Sequence, residues 1–441
     1  MEEDNAMYEK ILIDIKNLIY CDPNLKDFCI VPINENKNKS PVLYEEHNLG
    51  LELWCVKYVY SYLYKELFKV RQRLTKNRLI HQKIEEVDKY LISALLIHPD
   101  VSTFWNMRRE LVEYGIINLD IELLLTKLVL SNKSKSNEAF AYRKWVVTKL
   151  LKAIPKQDIG STLALLNREF IVTEMAAQKS PNNYHSWNHR MWSLEAALTK
   201  HDFADTISYL NLLFEQLDFS IRWIQSHISE HTGFHYRQYL LKCVLNSDCL
   251  GSERTIKSRH LLEAFIHIKA CDDETFIHQL LGKCNSPMHC SKVNFIILLL
   301  EDLFYFMEKL NELFPGHEAI WYHRRFIIFH ILKIAHEYHN IGWFRNVNIN
   351  DLMLNSNDNI TNIDYDLLCD GNNIQNYQNM NWTPSSLPIC TKYFLSSNLN
   401  IFKKIVPPNV MPHKNNWRGG TKNGCSVFCV LIKIIILFNV E

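Results

Sequence analysis

Asn183-Tyr-His-Ser-Trp-Asn-His-Arg-Met-Trp192 sets an aromatic residue, Trp187, three positions ahead of an arginine, Arg190. The same pairing occurs at Trp105/Arg108, Phe140/Arg143, Phe234/Arg237 and Trp321/Arg324, usually with another large apolar residue just beyond. Residues three apart share one helix face, so each unit offers a flat apolar anchor beside a charged fork able to tie down neighbouring carbonyls or carboxylates. The arginines are separated by 35, 47, 47 and 87 residues, the last interval being about two periods with an insertion. Repeats of this length mark helix-pair arrays, in which a unit cannot bury its apolar stripe alone and stacks on the next. The expected fold is therefore all-α.

Working outward from these units, residues 6 to 20 read as a short amphipathic helix, and Leu51 to Val70 as an aromatic-rich one. From about Ile80 to His336 helical periodicity dominates, each repeat being a leading helix, a polar turn, and a second helix that opens near the aromatic residue. Ser180-Pro-Asn-Asn183 and Phe314-Pro-Gly-His317 are helix-start signals in such turns. Three regions follow: an N-terminal helical region over 1–84, helical repeats over 85–345 with an insertion near 247–291, and a divergent tail over 346–441. Asn346 to Asn381 is dominated by asparagine and aspartate and reads as loop or disorder. The apolar run from Cys425 to Val440 is interrupted by Lys433 and falls short of the roughly 20 residues that span a bilayer. A buried strand or a divergent terminus fits it better than an anchor, and no stable membrane insertion is expected.

Composition narrows the function classes. Glycine (12) and proline (13) are scarce in 441 residues, and hydrophobic residues make up 47%, enough for a continuous core. With 49 basic and 48 acidic residues the net charge is +1, so no global field recruits nucleic acid, and any anion site is local. Twelve cysteines are scattered without a framework spacing, and Met1 to Lys10 lacks the basic and apolar parts of a signal peptide. A cytoplasmic protein with reduced thiols is expected. Cys284 and Cys290, with His289, are the nearest approach to a metal cluster and lack the paired short spacings of a zinc site, so no metal is assigned to this chain. Phosphate loops, nucleotide-binding glycine motifs and nucleophile elbows are missing from the sequence.

The strongest chemical signal lies ahead of the third unit. Pro181-Asn-Asn183 supplies a proline and capping side chains, placing Tyr184 and His185 in a first helical turn, where unpaired N–H groups and the positive end of the dipole attract anions. One repeat earlier Lys135 stands beside the caps Ser136 and Asn137, five residues before Phe140. Stacked neighbouring repeats would bring an ammonium, a phenol and an imidazole to one rim, suited to a phosphate-bearing ligand.

At these residues the chain resembles the repeat of protein prenyltransferase alpha subunits, with Asn183-Tyr-His-Ser-Trp-Asn-His-Arg190 the closest match and Trp321-Tyr-His-Arg-Arg-Phe-Ile327 a second. Ser40-Pro-Val-Leu43, Asn48-Leu-Gly-Leu-Glu-Leu-Trp-Cys-Val-Lys57 and Leu96-Ile-His-Pro-Asp100 look like the branch of alpha subunit repeat-containing proteins, rather than the farnesyltransferase or Rab geranylgeranyltransferase alpha chains. The resemblance implies a right-handed superhelix of helix hairpins, an alpha-alpha solenoid forming a crescent around a separate beta subunit. It further implies a non-zinc subunit of a heterodimeric protein geranylgeranyltransferase, inactive without a beta subunit of the Rab geranylgeranyltransferase type. The zinc would lie in that partner, geranylgeranyl diphosphate would be the co-substrate and a protein the acceptor. By motif register Lys135, Tyr184 and His185 would contact the isoprenoid diphosphate.

Two positions depart from that pattern. Asn137 stands where farnesyltransferase has a tyrosine, and Glu138 where it has a glutamine near the peptide's terminal carboxylate. A carboxylate there repels another at close range, which favours recruitment of a folded acceptor over recognition of a short C-terminal peptide. The arginines and their aromatic partners read as packing rather than catalysis. The competing functional class is a non-catalytic helical-repeat scaffold for protein–protein interaction, which has no need of donors gathered at adjacent helix starts.

Overall fold

In the computed structural model, which describes residues 2–36, 38, 40–74, 84–200, 206–246 and 295–340, the chain divides into two units, Met1–Asp205 and Thr206–Glu441. The insertion near 247–291 and the tail over 346–441 lie outside the described residues.

The first unit opens with α1 (Glu2–Cys21), strands β1 (Asp27–Val31), β2 (Val42–Glu45) and β3 (Asn48–Glu52), and α2 (Leu53–Leu74). Helices α3 (Ile84–Ile97) to α8 (Tyr184–Lys200) follow as three hairpins: α3 with α4 (Ser102–Glu113), α5 (Leu119–Asn132) with α6 (Asn137–Ala153), and α7 (Ile159–Lys179) with α8. Leading helix α5 packs on α3 and α7, and second helix α6 packs on α4 and α8, so each hairpin closes its apolar stripe against the next. A single buried core runs through this unit, from Ile11 and Ile15 of α1, through Leu49 and Leu51 of β3, to Val172 and Ala176 of α7. The helical repeat array read from the sequence is thus observed.

The small sheet is an addition to that reading. Strand β3 lies centrally, parallel to β1 with Cys29 opposite Gly50 and antiparallel to β2 with Val42 opposite Leu51. Its residues alternate too briefly before α2 to declare a strand in the sequence. The β2–β3 turn carries Glu46 and His47 at φ 46° and 68°, a conformation that L side chains adopt at a cost. Asp22 offsets it by accepting from His47 Nδ1 at 2.8 Å and from the Tyr44 hydroxyl at 3.0 Å. The sheet is docked on the repeats by Ser131 at the end of α5, whose Oγ accepts from the Phe28 N–H at 2.9 Å.

In the second unit α9 (Thr206–Ser226) pairs with α10 (His231–Asn246). After the insertion, helical residues 295–301 run into a π-helical stretch, Asp302–Met307, then α11 (Glu308–Leu313) and α12 (Glu318–Asn340), which packs on α10. Among the described residues no helix is long and apolar enough to cross a membrane.

The aromatic–arginine units explain the stacking. Trp105, Phe140 and Phe234 are buried and rest on rings of the following hairpin, Tyr142 at 4.7 Å, His189 at 5.5 Å and His323 at 5.6 Å between centroids. Those three rings stand one residue before the next arginine. Each bonds a carboxylate on the leading helix about 20 residues behind it: Tyr142 to Glu122 at 2.6 Å, His189 to Glu169 at 2.8 Å, His323 to Asp302 at 2.8 Å. The same carboxylates receive the guanidinium of the preceding unit, Arg108 on Glu122, Arg143 on Glu169 and Arg237 on Asp302. Arginine, acid, ring and aromatic thus form a closed quartet at each of these three joints. Asp302 stands 21 residues before His323 where the other two intervals are 20, and the wider π turn that begins at Asp302 absorbs the extra residue. The fifth unit differs: Trp321 is 39% exposed, because among the described residues no hairpin follows α12 to cover it.

Candidate functional site

Two neighbouring helix starts hold the residues singled out in the sequence. Helix α6 is capped by Ser136, whose Oγ accepts from the Ala139 N–H at 3.4 Å while donating to Asp100 at 2.8 Å. Helix α8 is capped by Asn183, whose Oδ1 accepts from the Ser186 N–H at 3.2 Å. Asn182, just ahead, takes a φ of 52°, a left-handed conformation that asparagine tolerates better than most residues. The sequence therefore builds both turns from residues that cap and bend, with the Tyr184 N–H bonded to the Asn182 carbonyl at 3.1 Å and the Ser186 N–H to Asn183.

The structure brings these two turns together. Fully buried Asn183 donates its amide to the Ser134 carbonyl at 2.6 Å and to the Ala176 carbonyl at 3.1 Å, and the hydroxyls of Ser134 and Ser180 pair at 2.7 Å. Lys135 follows Ser134 directly and Tyr184 follows Asn183, so the ammonium and phenol are carried on directly bonded backbone segments. Lys135 is exposed, and so is Tyr184 at 65%, an unusual state for a tyrosine at the start of a packed helix. His185 is half-buried and lies parallel to Phe140 of α6, with centroids 6.4 Å apart and planes 20° from parallel, which orients its ring along the seam between α6 and α8. Asn137 is exposed and Glu138 half-buried in the first turn of α6. The two turns carry an exposed ammonium, a phenol, an imidazole and the positive end of α8, a setting for an anion of more than one negative charge.

Beneath this rim the quartets supply rigidity. Glu169 accepts from Arg143 Nε and Nη2, both at 2.7 Å, and from His189. Burial alone would raise its pKa, yet the charge of Arg143 and the bond from His189 hold the carboxyl down at about 2. Burial pushes the His189 pKa below its ordinary value, partly opposed by Glu169, so the ring is neutral where it meets Phe140 and Trp192. Arg190, the next residue in α8, donates to the Phe170 carbonyl at 2.9 Å and lies over the Phe170 ring at 4.3 Å. The arginines are packing elements, as their spacing implies.

Residues that the sequence reading passed over are the acceptors Glu122, Glu169 and Asp302. A signal was present, since Glu122 and Glu169 stand 47 apart, in step with Arg143 and Arg190.

Comparison with known proteins agrees with this geometry. The family model for the protein prenyltransferase alpha subunit repeat matches residues 166–197, which cover most of α7 and α8, and residues 300–331, which run from the π turn into α12. The chain is 31% identical over 340 residues to the human protein prenyltransferase alpha subunit repeat-containing protein 1, covering 74% of this chain and 79% of that one. It is 29% identical over 350 residues to the zebrafish (Danio rerio) protein of the same name, covering 76% and 74%. A more distant likeness, 26% over 182 residues and 37% of this chain, is to the geranylgeranyl transferase type-2 subunit alpha 2 of Arabidopsis thaliana, of which it covers 25%. With its joints built from the repeat's own aromatic and arginine residues, and with this extent of identity, the chain belongs to the family of protein prenyltransferase alpha subunit repeat-containing proteins.

Proposed function

We propose that this chain is the non-zinc, alpha-type subunit of a heterodimeric protein geranylgeranyltransferase, and that Lys135, Tyr184 and His185 receive the diphosphate of geranylgeranyl diphosphate. The observation that carries the reading is the bonding of Asn183 to Ser134, which joins the helix start bearing Tyr184 and His185 to the turn bearing Lys135. A scaffold requires stacked repeats but no exposed lysine and tyrosine gathered beside a helix N-terminus.

In the reaction a cysteine thiolate of the acceptor protein forms a C–S bond at C1 of the isoprenoid as the C1–O bond breaks, and the electron pair leaves with the diphosphate. Negative charge therefore grows on the diphosphate oxygens. Lys135 supplies a full positive charge, Tyr184 and His185 donate hydrogen bonds, and α8 presents its positive end, all in place before the charge develops. A zinc ion in the partner would lower the thiol pKa there, and the beta subunit would also enclose the isoprenoid chain. Glu138 beside Lys135 disfavours a free peptide carboxylate, so the acceptor is presented as a folded protein. A Rab geranylgeranyltransferase-type beta subunit is the partner proposed, in a cytoplasmic heterodimer.

Co-expression with beta subunits of the prenyltransferase family, followed by size-exclusion chromatography and transfer assays with geranylgeranyl diphosphate, tests the reading. The expected result is a stable heterodimer that transfers, and no transfer by this chain alone. Transfer by the isolated chain would overturn the heterodimer reading, and stable heterodimers without any transfer would return the scaffold reading.

A further inference from the structure

Lys179, the last residue of α7, has a role that helix packing does not require. Its ammonium donates to both carboxylate oxygens of Asp27 at the start of β1, at 2.9 and 2.6 Å, and to the Ser131 carbonyl at the end of α5, at 2.7 Å. Three features make this contact a junction. Ser131 is the residue on which β1 docks, through Phe28. Three residues beyond Ser131 is Ser134, which bonds both Ser180 and Asn183, and the next residue is Lys135. On the other side, Ser180 follows Lys179 directly, and the turn reaches Tyr184 four residues later. One side chain thus ties the ends of α5 and α7, from which the two halves of the rim emerge, to the edge of the sheet.

The equivalent position one hairpin earlier is Asn132, which reaches back to the Leu96 carbonyl at 3.3 Å. That shorter amide satisfies a helix-end carbonyl and no more. At position 179 the chain carries a longer, charged residue that makes the same backward bond and also grips Asp27.

We infer that Lys179 is a positioning residue for the diphosphate site, and that through Asp27 the N-terminal sheet sets the distance between Lys135 and the Tyr184–His185 pair. The inference rests on the proposed function. As a surface ion pair, 35% and 37% exposed, Lys179–Asp27 adds little to folding stability. Its effect is geometric, and displacement of a positioned group by about 1 Å can cost as much as ~10² in rate.

The test uses the assembled heterodimer and two readouts, single-turnover geranylgeranyl transfer and the affinity for inorganic diphosphate measured by calorimetry. Lys179→Met is expected to slow transfer by about tenfold and to weaken inorganic diphosphate binding, with an unchanged melting temperature and subunit affinity. Asp27→Asn, which leaves the bond to Ser131 in place, should give a smaller loss in the same direction. Lys179→Arg should recover most of both. Arg168→Met removes another exposed ion pair of α7, that with Asp120 at 2.9 Å, and should change neither readout. Parental transfer and parental diphosphate affinity in Lys179→Met would overturn the inference, as would a loss that merely follows a lowered melting temperature in both Lys179→Met and Asp27→Asn. Lys135→Ala, assayed in parallel, separates the two levels. If it is slow while Lys179→Met is not, the clamp alone is wrong; if it transfers at the parental rate, the site reading fails and the inference with it.

Discussion

Glu169 on α7 takes the guanidinium of Arg143 on α6 through two hydrogen bonds of 2.7 Å, with both side chains essentially removed from solvent. A pair of this kind holds one geometry, because two parallel bonds fix the planes of fork and carboxylate together. It also contributes less to stability than its closeness suggests, since both ions lost their hydration on folding.

Breaking the pair on one side should therefore be far worse than removing it whole. Glu169→Leu leaves a buried guanidinium with only the Leu123 carbonyl and Thr126 hydroxyl as partners and should cost about 3–5 kcal/mol. Arg143→Met combined with Glu169→Leu should recover much of that loss. Urea unfolding of the two single variants and the double variant gives the coupling directly. Additive effects would mean that the pair does not act as a unit.

Acid should destabilise the first unit in two overlapping steps. His189 has a lowered folded pKa, so below its ordinary value of 6.5 the unfolded chain takes a proton that the folded one refuses, and stability falls with pH. Glu169, held at about 2 against an ordinary 4.5, contributes stability that is present above 4.5 and lost as pH drops through the folded value. The repeat itself suggests the diagnostic change, because Tyr142 and Tyr236 occupy the position of His189 in adjacent units. His189→Tyr should flatten the stability profile between about pH 6.5 and 5 while leaving the lower step. His235, also lowered by burial, adds its own slope to parent and variant alike, so the difference between their profiles isolates His189. Superimposable profiles would show that His189 titrates normally.

A glycine-to-alanine change inside a helix ordinarily stabilises by about 1 kcal/mol, and Gly233 in α10 should reverse that sign. A Cβ there would stand 2.8 Å from Cδ1 of Trp223, whose indole is held by a bond to Glu230 at 3.0 Å and by stacking on His227 at 4.0 Å. With the ring pinned on both sides it cannot give way. Gly233→Ala should cost about 1–3 kcal/mol of stability in the second unit, read as a lowered urea midpoint.

The helical architecture and the two capped helix starts were legible because they rest on local rules. An aromatic residue and an arginine three apart share a helix face whatever surrounds them, and Pro181-Asn-Asn183 caps a helix in any context. The acceptors were not legible for the opposite reason. Glu122 shares α5 with exposed Asp120 and Glu169 shares α7 with exposed Glu174, and beyond their 47-residue step it is nearness to Tyr142 and His189 in space that distinguishes them. The sheet escaped because Asn48-Leu-Gly-Leu-Glu52 runs into α2 without a break, and its strand character comes from pairing with Phe28 and Leu43 rather than from its own alternation. Lys179 reads as an ordinary helix-end lysine until Asp27, 152 residues earlier, is placed beside it.

The three rim residues should not be equal in transfer. On the proposed function Lys135 would bring a whole charge to a departing group that carries several negative ones, and it lies on an exposed turn whose backbone is held by Ser134 and Ser136 rather than by its own side chain. Lys135→Ala in the heterodimer should therefore slow single-turnover transfer by ~10²–10³ without altering the fold. Tyr184→Phe removes one hydrogen bond and keeps the ring, so its loss should be smaller, of the order of tenfold. Asn137→Ala, at an exposed position on the same rim, should change the rate little. Because the lysine contribution is a charge interaction near solvent, added salt should slow the parent more than it slows Lys135→Ala. Equal rates for parent and Lys135→Ala at saturating isoprenoid would remove the lysine from the site.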